Sequence, residues 1–102
     1  MPDRIVQFRE KVEAQPENPL FRFSLAQAYM DAGQPSEAIP HLERCLAGRP
    51  DWMMAAILLG DAYRTSGDNA KARSTWEAAL QLAVVQQHET PEAEIRDRLA
   101  DL

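Results

Sequence analysis

The sequence predicts an all-α protein in which antiparallel helix pairs stack into a solenoid. The main observation is that the chain repeats itself at a step of 34 residues, a period typical of units that consist of two helices. Gly33 and Gly67, one period apart, stand where each pair would turn, because a left-handed residue often closes the last turn of a helix. One pair cannot bury its apolar face alone, so neighbouring pairs are expected to stack around a continuous core.

The repeat is visible as residue types that recur in register. Eight positions match, and they carry Leu25, Ala26, Tyr29, Gly33, Ala38, Leu42, Cys45 and Leu46 in the first copy and Leu59, Gly60, Tyr63, Gly67, Ala72, Trp76, Ala79 and Leu80 in the second. So many coinciding positions are a stronger signal than any single short motif.

These residues resemble the tetratricopeptide repeat family. Its unit pairs a helix that carries a Leu-Gly or Leu-Ala step and a Tyr with a helix that carries an Ala, a bulky apolar residue and another small residue. The resemblance covers Asn18 to about Val84 and, more weakly, Pro2 to Glu17. It implies a non-enzymatic module that binds another protein or a peptide, although a fold does not identify the partner.

The N-terminal segment, residues 3–17, matches the second half of an earlier repeat. One period back from Leu42 and Leu46 lie Phe8 and Val12. Both belong to one apolar stripe among charged residues, which is the pattern of an amphipathic helix.

The first complete repeat is expected at residues 18–51. Its first helix starts at Asn18 and Pro19, because the Asn side chain accepts from free amides and the fixed φ of proline suits the first helical position. Gly33 ends that helix, and Pro35 opens the second.

The second repeat is expected at residues 52–87. Gly67 again marks the corner, and Asp68 or Asn69 caps a second helix that runs toward Gln87. This helix is longer than the repeat requires.

A last helix at residues 90–102 is expected to cap the stack. It starts at Thr90 and Pro91, and its apolar residue Ile95 falls several residues late for a third repeat in register. Terminal units of a solenoid are often atypical. Two ion pairs are expected at four-residue spacing, Glu92 with Arg96 and Glu94 with Arg98.

In this family the first helix of each pair lines the concave face, and helical spacing separates two stripes on it. One stripe is expected in the core and includes Leu25, Tyr29, Leu59 and Tyr63. The other is expected to form the partner-binding groove and consists of Leu20, Phe23, Gln27, Met30, Met54, Ile57, Asp61 and Arg64. Five of these eight are apolar, more than a solvated face normally carries. In the alternative, a C-terminal helix covers the stripe and Leu20, Phe23 and Ile57 are core.

The same stripe constrains the ligand. Relatives that grip the carboxylate tails of heat-shock chaperones use Lys and Asn there, whereas this chain has Phe23, Gln27 and Leu58. We therefore expect an amphipathic helix or extended segment held by apolar contacts, with Arg64 for one acidic group. Trp52, at the turn into the second repeat, is either a lid over an apolar seam or an anchor on the groove rim.

Composition narrows the partner further. The 102 residues suffice for a single domain spanning residues 1–102, with one modest core. A formal net charge of −5 argues against nucleic acid, because an acidic surface repels phosphates. No stretch approaches the ~20 apolar residues of a membrane span, so we expect a cytoplasmic protein without a membrane partner.

No catalytic, cofactor or metal site is expected. His41 and Cys45 lie four residues apart, which places them on one helix face as a nucleophile pair or half a metal site. Cys45, however, takes the small-residue place that Ala79 fills in the next repeat. A packing role is therefore favoured, and an enzyme is only a formal alternative.

A second alternative is self-association. The N-terminal helix lacks the helix that precedes it in a full repeat, and the last helix is out of register. Ends of two chains would then stack into a homo-oligomer.

Overall fold

The computed structural model describes residues 3–102, in which six α-helices follow one another; residues 1 and 2 of the assigned domain lie outside this range. The helices are α1 (Arg4–Ala14), α2 (Pro19–Asp31), α3 (Pro35–Gly48), α4 (Met53–Thr65), α5 (Asn69–Val85) and α6 (Glu89–Ala100). Each helix packs against the next one along the chain, and α2 also contacts α4. The all-α helical stack is confirmed. Across the described part, every helix is too short or too polar to cross a bilayer.

Side-chain caps begin two of the repeat helices where the sequence predicts them. Oδ1 of Asn18 accepts from the backbone N–H of Leu20 at 3.0 Å and of Phe21 at 3.4 Å. Oδ1 of Asp68 accepts from the N–H of Lys71 at 3.1 Å. Each cap supplies an acceptor to amides that have no partner within their own helix.

The two predicted corners have the geometry that favours glycine. Gly33 has φ 73° and Gly67 has φ 93°, in the left-handed region that other residues adopt at a cost. At the first corner, Gly33 N–H donates to the Met30 carbonyl and Gln34 N–H donates to the Tyr29 carbonyl, at 3.0 and 2.8 Å. This pair of bonds satisfies the last carbonyls of α2 and ends the helix.

A third corner of the same kind follows α5, but without glycine. Gln87 has φ 57°, and its N–H donates to the Val84 carbonyl while His88 N–H donates to the Ala83 carbonyl. The corner was missed because the residue type that signals a left-handed position is absent.

The position of α6 explains the late arrival of its apolar stripe. α4 begins 34 residues after α2, from 19 to 53, whereas α6 begins 36 residues after α4, from 53 to 89. α6 therefore begins two residues later than the 34-residue period predicts. Ile95 still lies six residues after its helix start, as Leu25 and Leu59 do, and is fully buried. α6 thus joins the stack as the first helix of a further pair, and begins at Glu89 rather than at Thr90.

Within a pair, the helices approach closely at small residues. A Cβ added at Gly60 would overlap with the Trp76 indole, so α4 and α5 reach their observed spacing only because residue 60 has no side chain. The indole N–H donates to the Ile57 carbonyl at 3.2 Å. In the first repeat Ala26 stands at the position of Gly60 and is larger than glycine, whereas Leu42 stands at the position of Trp76 and is smaller than tryptophan. Ala26 and Leu42 are also buried.

The left-handed corner at Gln87 leads to a first prediction. Gln87→Gly should stabilise the protein by about 1 kcal/mol, because glycine adopts a positive φ without the penalty of a Cβ atom. Gly33→Val and Gly67→Val should each destabilise it by ~1 to 2 kcal/mol for the same reason. Urea unfolding of the three variants measures these free energies. A Gln87→Gly variant no more stable than the wild type would contradict the corner geometry.

The contact between Gly60 and Trp76 leads to a second prediction. Gly60→Ala should destabilise the protein by roughly 1 to 3 kcal/mol through overpacking. Trp76→Leu alone should leave a cavity, but the double variant recreates the Ala26 and Leu42 combination of the first repeat. The two changes should therefore couple favourably, by about 1 kcal/mol or more in a double-mutant cycle. Simple additivity of the unfolding free energies would show that the two residues do not limit the helix spacing.

Candidate functional site

The candidate site is the face formed by α2, α4 and α6, the first helices of successive pairs. All three helices line one depression of 390 Å³, so this side of the stack is concave. The residues that line it are Met30, Asp61, Arg64, Thr65, Trp76, Arg98 and Asp101. Three of the eight residues predicted for the groove, Met30, Asp61 and Arg64, are therefore brought together at one end of this face.

The predicted groove residues differ widely in exposure. Leu20 and Met54 are 59% and 53% exposed, and Gln27 and Arg64 are also exposed. Half-buried members of the stripe are Phe23, Met30 and Asp61. The stripe thus offers two solvent-facing apolar side chains at matching positions of α2 and α4.

The expected exposure of Ile57 is wrong. Its side chain is buried, and its carbonyl accepts the Trp76 indole N–H. On the face formed by α2, α4 and α6, α4 is the middle helix: it contacts α2, and Arg98 of α6 bonds to Asp61, one turn after Ile57. α2 has a neighbour on only one side of this face, a difference between Ile57 and the half-buried Phe23 that the 34-residue pattern does not indicate.

Asp61 is held by α6 and is not free to meet a ligand alone. Arg98 donates from Nε to Oδ1 of Asp61 at 2.8 Å and from Nη2 to Oδ2 at 3.4 Å. The predicted ion pair of Glu94 with Arg98 is wrong, since Arg98 reaches only the Glu94 backbone carbonyl, at 3.4 Å. The predicted pair of Glu92 with Arg96 is present at 3.7 Å. Part of the stripe is therefore covered by α6.

An aromatic pair stands at the opposite end of the concave face. The rings of Phe23 and Trp52 lie 4.9 Å apart between centroids, at an interplanar angle of 33°. The Arg49 guanidinium lies 4.9 Å from the centroid of the Trp52 ring, within the range of a cation–π contact. Trp52 is therefore packed against Phe23, a residue of the predicted groove. We call Leu20, Phe23, Trp52 and Met54 the apolar rim.

Arg64 provides a cation at the polar end. It is exposed and lines the 390 Å³ depression. Among residues 3–102 it makes no salt bridge, and the nearby Asp61 carboxylate is bonded to Arg98. An acidic group that entered this depression would find an unpaired guanidinium.

A larger depression of 440 Å³ lies on another side, where α3, α4 and α5 meet. Its lining includes the core residues Ala56 and Leu59. The 34-residue pattern does not predict this depression. The one indication in the sequence is a set of small residues of α5 that line the depression, Ser74, Thr75 and Ala78.

His41 and Cys45 do not form a reactive pair. Cys45 is 2% exposed, and its Sγ lies 3.7 Å from the Pro19 carbonyl oxygen. Burial raises the pKa of the Cys45 thiol above its ordinary value, which disfavours the nucleophilic thiolate. The His41 ring instead stacks on Tyr29 and contacts Arg22. In the part of the chain that the structure describes, no three His, Cys, Asp or Glu side chains are grouped to hold a metal ion.

Comparison with known proteins identifies the relatives of this chain. The TPR repeat-containing protein PA0015 of Pseudomonas aeruginosa is 38% identical over 79 residues, which are 78% of this chain and 75% of that protein. The solution structure of BPP2914 from Bordetella parapertussis matches with a TM-score of 0.86 and 28% identity, over 99% of this chain and 88% of the other. A tetratricopeptide repeat domain protein from Salinibacter ruber shares the fold, with a TM-score of 0.74 and 22% identity over 83% of this chain and 94% of that one.

The family assignment rests on the repeat itself. A model described as tetratricopeptide repeat matches the chain twice, over residues 7–51 and 23–91. The matched segments include both copies of the 34-residue pattern and both glycine corners. This chain therefore belongs to the tetratricopeptide repeat family.

Proposed function

We propose that this protein is a non-enzymatic adaptor that binds a segment of a partner protein across its concave face. Tetratricopeptide repeats are protein-interaction modules, and the family is typically non-catalytic. The observation that carries the proposal is the apolar rim, where Leu20 and Met54 are more than half exposed beside the packed rings of Phe23 and Trp52. Large apolar side chains that cluster on a surface are typical of interaction sites, and aromatic residues often supply most of the binding energy.

The dimensions of the face suit a short segment. Neighbouring packed helices lie about 8 to 10 Å apart, so the span from α2 to α6 is roughly 20 Å. A helix of about 13 residues or an extended stretch of about six residues covers that distance. The apolar rim would receive its apolar side chains, and Arg64 would receive one acidic group at the polar end.

The N-terminal end of the stack disfavours self-association. Cys45 in α3 contacts Pro19, at the start of the preceding helix α2. The residue 34 positions before Cys45 is Lys11, so Lys11 stands at the corresponding position of α1. Another small, buried position, Ala38, corresponds to Arg4. A second chain that packed on α1 would have to bury Lys11 and the exposed ion pair of Arg4 with Asp31, whose charged atoms lie 2.7 Å apart, and removing these charges from water is costly.

The C-terminal end carries charges in the same way. α5 packs on α4 at Gly60, with Ala56 one turn earlier. α6 begins 36 residues after α4, so Arg96 and Glu92 of α6 correspond to Gly60 and Ala56 of α4. Arg96 and Glu92 form an ion pair with each other. Charged residues thus stand at both outer surfaces where another helix would stack, and this supports the concave face as the binding surface.

A third prediction separates the rim from the core. Leu20→Ser and Met54→Ser should each change the free energy of unfolding by about 0.5 kcal/mol or less, because both side chains face solvent. Ile57→Ser should cost ~2 to 4 kcal/mol through the loss of buried apolar contacts. Urea unfolding followed by circular dichroism measures all three. A large loss of stability in the Leu20 and Met54 variants would place the rim in the core.

A fourth prediction concerns partner binding. The partner is first isolated from native lysate with the wild-type protein, and its binding is then reproduced with purified components. The Leu20→Ser/Met54→Ser double variant should bind this partner at least about tenfold more weakly. Val85→Ser is the matched control, because Val85 is 77% exposed and lies at the end of α5, outside the concave face. Retention of the partner by the double variant, or its loss in the Val85 variant, would contradict the proposal.

The alternative of self-association is tested separately. Light scattering over a wide concentration range should give the mass of one chain throughout. A mass that grows with concentration, and that falls again when Lys11 is replaced by Glu, would favour stacking through the solenoid ends.

A further inference from the structure

Arg22 links three parts of the N-terminal repeat. Its Nη1 lies 3.0 Å from Nδ1 of His41 in α3, and its Nη2 donates to the Pro16 carbonyl at 3.0 Å, at the corner between α1 and α2. We call Arg22, His41 and the Pro16 carbonyl the Arg22 clasp. It joins the first turn of α2 to α3 and to the corner that precedes α2.

The clasp requires a neutral imidazole. A guanidinium has donors only, so Nδ1 of His41 must accept the hydrogen bond, and any ring proton must lie on Nε2. The third donor group of Arg22, Nε, is buried and has no hydrogen-bond partner among residues 3–102. Arg22 therefore depends on His41 and Pro16 for the acceptors that compensate its partial burial.

The surroundings of His41 oppose its protonation. α2 contributes Arg22 and Tyr29, whose ring stacks on the imidazole at 6.0 Å between centroids and 10° between planes. α3 itself contributes Glu37, and α1 reaches the group only through Arg9, whose Nη2 lies 3.4 Å from Oη of Tyr29. Burial, followed by the Arg22 charge, lowers the pKa of His41 below its ordinary value of 6.5, although Glu37 acts to raise it.

We infer that the Arg22 clasp is a pH-sensitive latch, closed while His41 is neutral and released when the imidazole takes up a proton. Protonation places an N–H on Nδ1 against an N–H of Arg22. Two donors and two positive charges then face each other across the 3.0 Å contact, and the hydrogen bond is lost. Arg22 keeps only the Pro16 carbonyl, and the α1–α2 corner keeps only the exposed ion pair of Glu17 with Arg44, at 3.3 Å, as a side-chain link to α3.

Release of the latch would uncover Cys45. A depression of 310 Å³ lies beside the clasp, and its lining includes Pro16, Arg22 and Cys45. The thiol is 2% exposed and contacts the Pro19 carbonyl, at the start of α2. Because Arg22 lies between Leu20 and Phe23, movement of this turn would also disturb the apolar rim; only this last consequence rests on the proposed function.

The latch is tested by the rate at which a pyridyl disulfide labels Cys45 in the native protein. His41→Gln keeps a neutral acceptor for Arg22 at every pH and contains the same thiol, so the ratio of wild-type to variant rates removes the pH dependence that both proteins share. In Arg22→Met the imidazole titrates without the clasp, so the change of its labelling rate between pH 8 and pH 5 reports the direct effect of the imidazolium on the thiol. The ratio should be about 1 at pH 8 and should rise about tenfold at pH 5, because the imidazolium and the Arg22 guanidinium repel each other across the 3.0 Å contact. A ratio of 1 at both pH values would overturn the inference.

Controls and a second measurement make the test independent of one variant. His88→Gln should label like the wild type at both pH values, since His88 lies outside the clasp, and Arg22→Met should label rapidly at both.

Stability provides a second measurement. His41 has its ordinary pKa of 6.5 in the unfolded chain and a lower pKa in the folded protein. At a pH between these two values the unfolded chain binds more protons, so the free energy of unfolding of the wild type should fall as the pH drops through this window, relative to that of His41→Gln. If His41→Gln does not fold, NMR titration of the wild type decides: an Arg22 side-chain signal that does not follow the His41 titration would overturn the inference.

Discussion

The structure depends on the close approach of the two helices within each pair. In the second repeat this approach is possible because Gly60 leaves room for the Trp76 ring, whose N–H then satisfies the Ile57 carbonyl. In the first repeat Ala26 and Leu42 divide the same space differently. Because the pair is the unit that stacks, the spacing of its helices also fixes which side chains of α2 and α4 remain on the concave face.

The central position of α4 determines how much of the groove is open to a partner. α4 lies between α2 and α6 on this face, so Ile57 is buried although the matching residue of α2, Phe23, is only half-buried. Asp61 is removed from the open surface in another way, through its bonds to Arg98 of α6. What remains is an apolar rim at one end of the face and the Arg64 cation at the other.

The fold was predictable from the sequence because the 34-residue period, the glycine corners and the caps are local signals with direct mechanisms. Residues 18–67 follow these signals closely. The two-residue displacement of α6 was predicted only as a late stripe, since Gln87 occupies a left-handed position without the usual glycine. The site was less predictable. Whether Ile57 is exposed depends on helices distant in sequence, and a single chain's residue pattern does not report how many neighbours a helix has.

The same backbone position has different roles inside the stack and at its ends. Gly60, inside the stack, admits the next helix, whereas the corresponding Arg96 forms an ion pair on the outer surface of α6. Cys45 packs against the preceding helix, whereas the corresponding Lys11 places its ammonium 5.2 Å from the Phe8 centroid and 5.4 Å from the Phe21 centroid. Lys11 thus covers aromatic surface that an additional helix would otherwise bury. Charged groups thus stand at the positions of α1 and α6 that match packing positions inside the stack, whereas the exposed apolar pair of Leu20 and Met54 lies on α2 and α4.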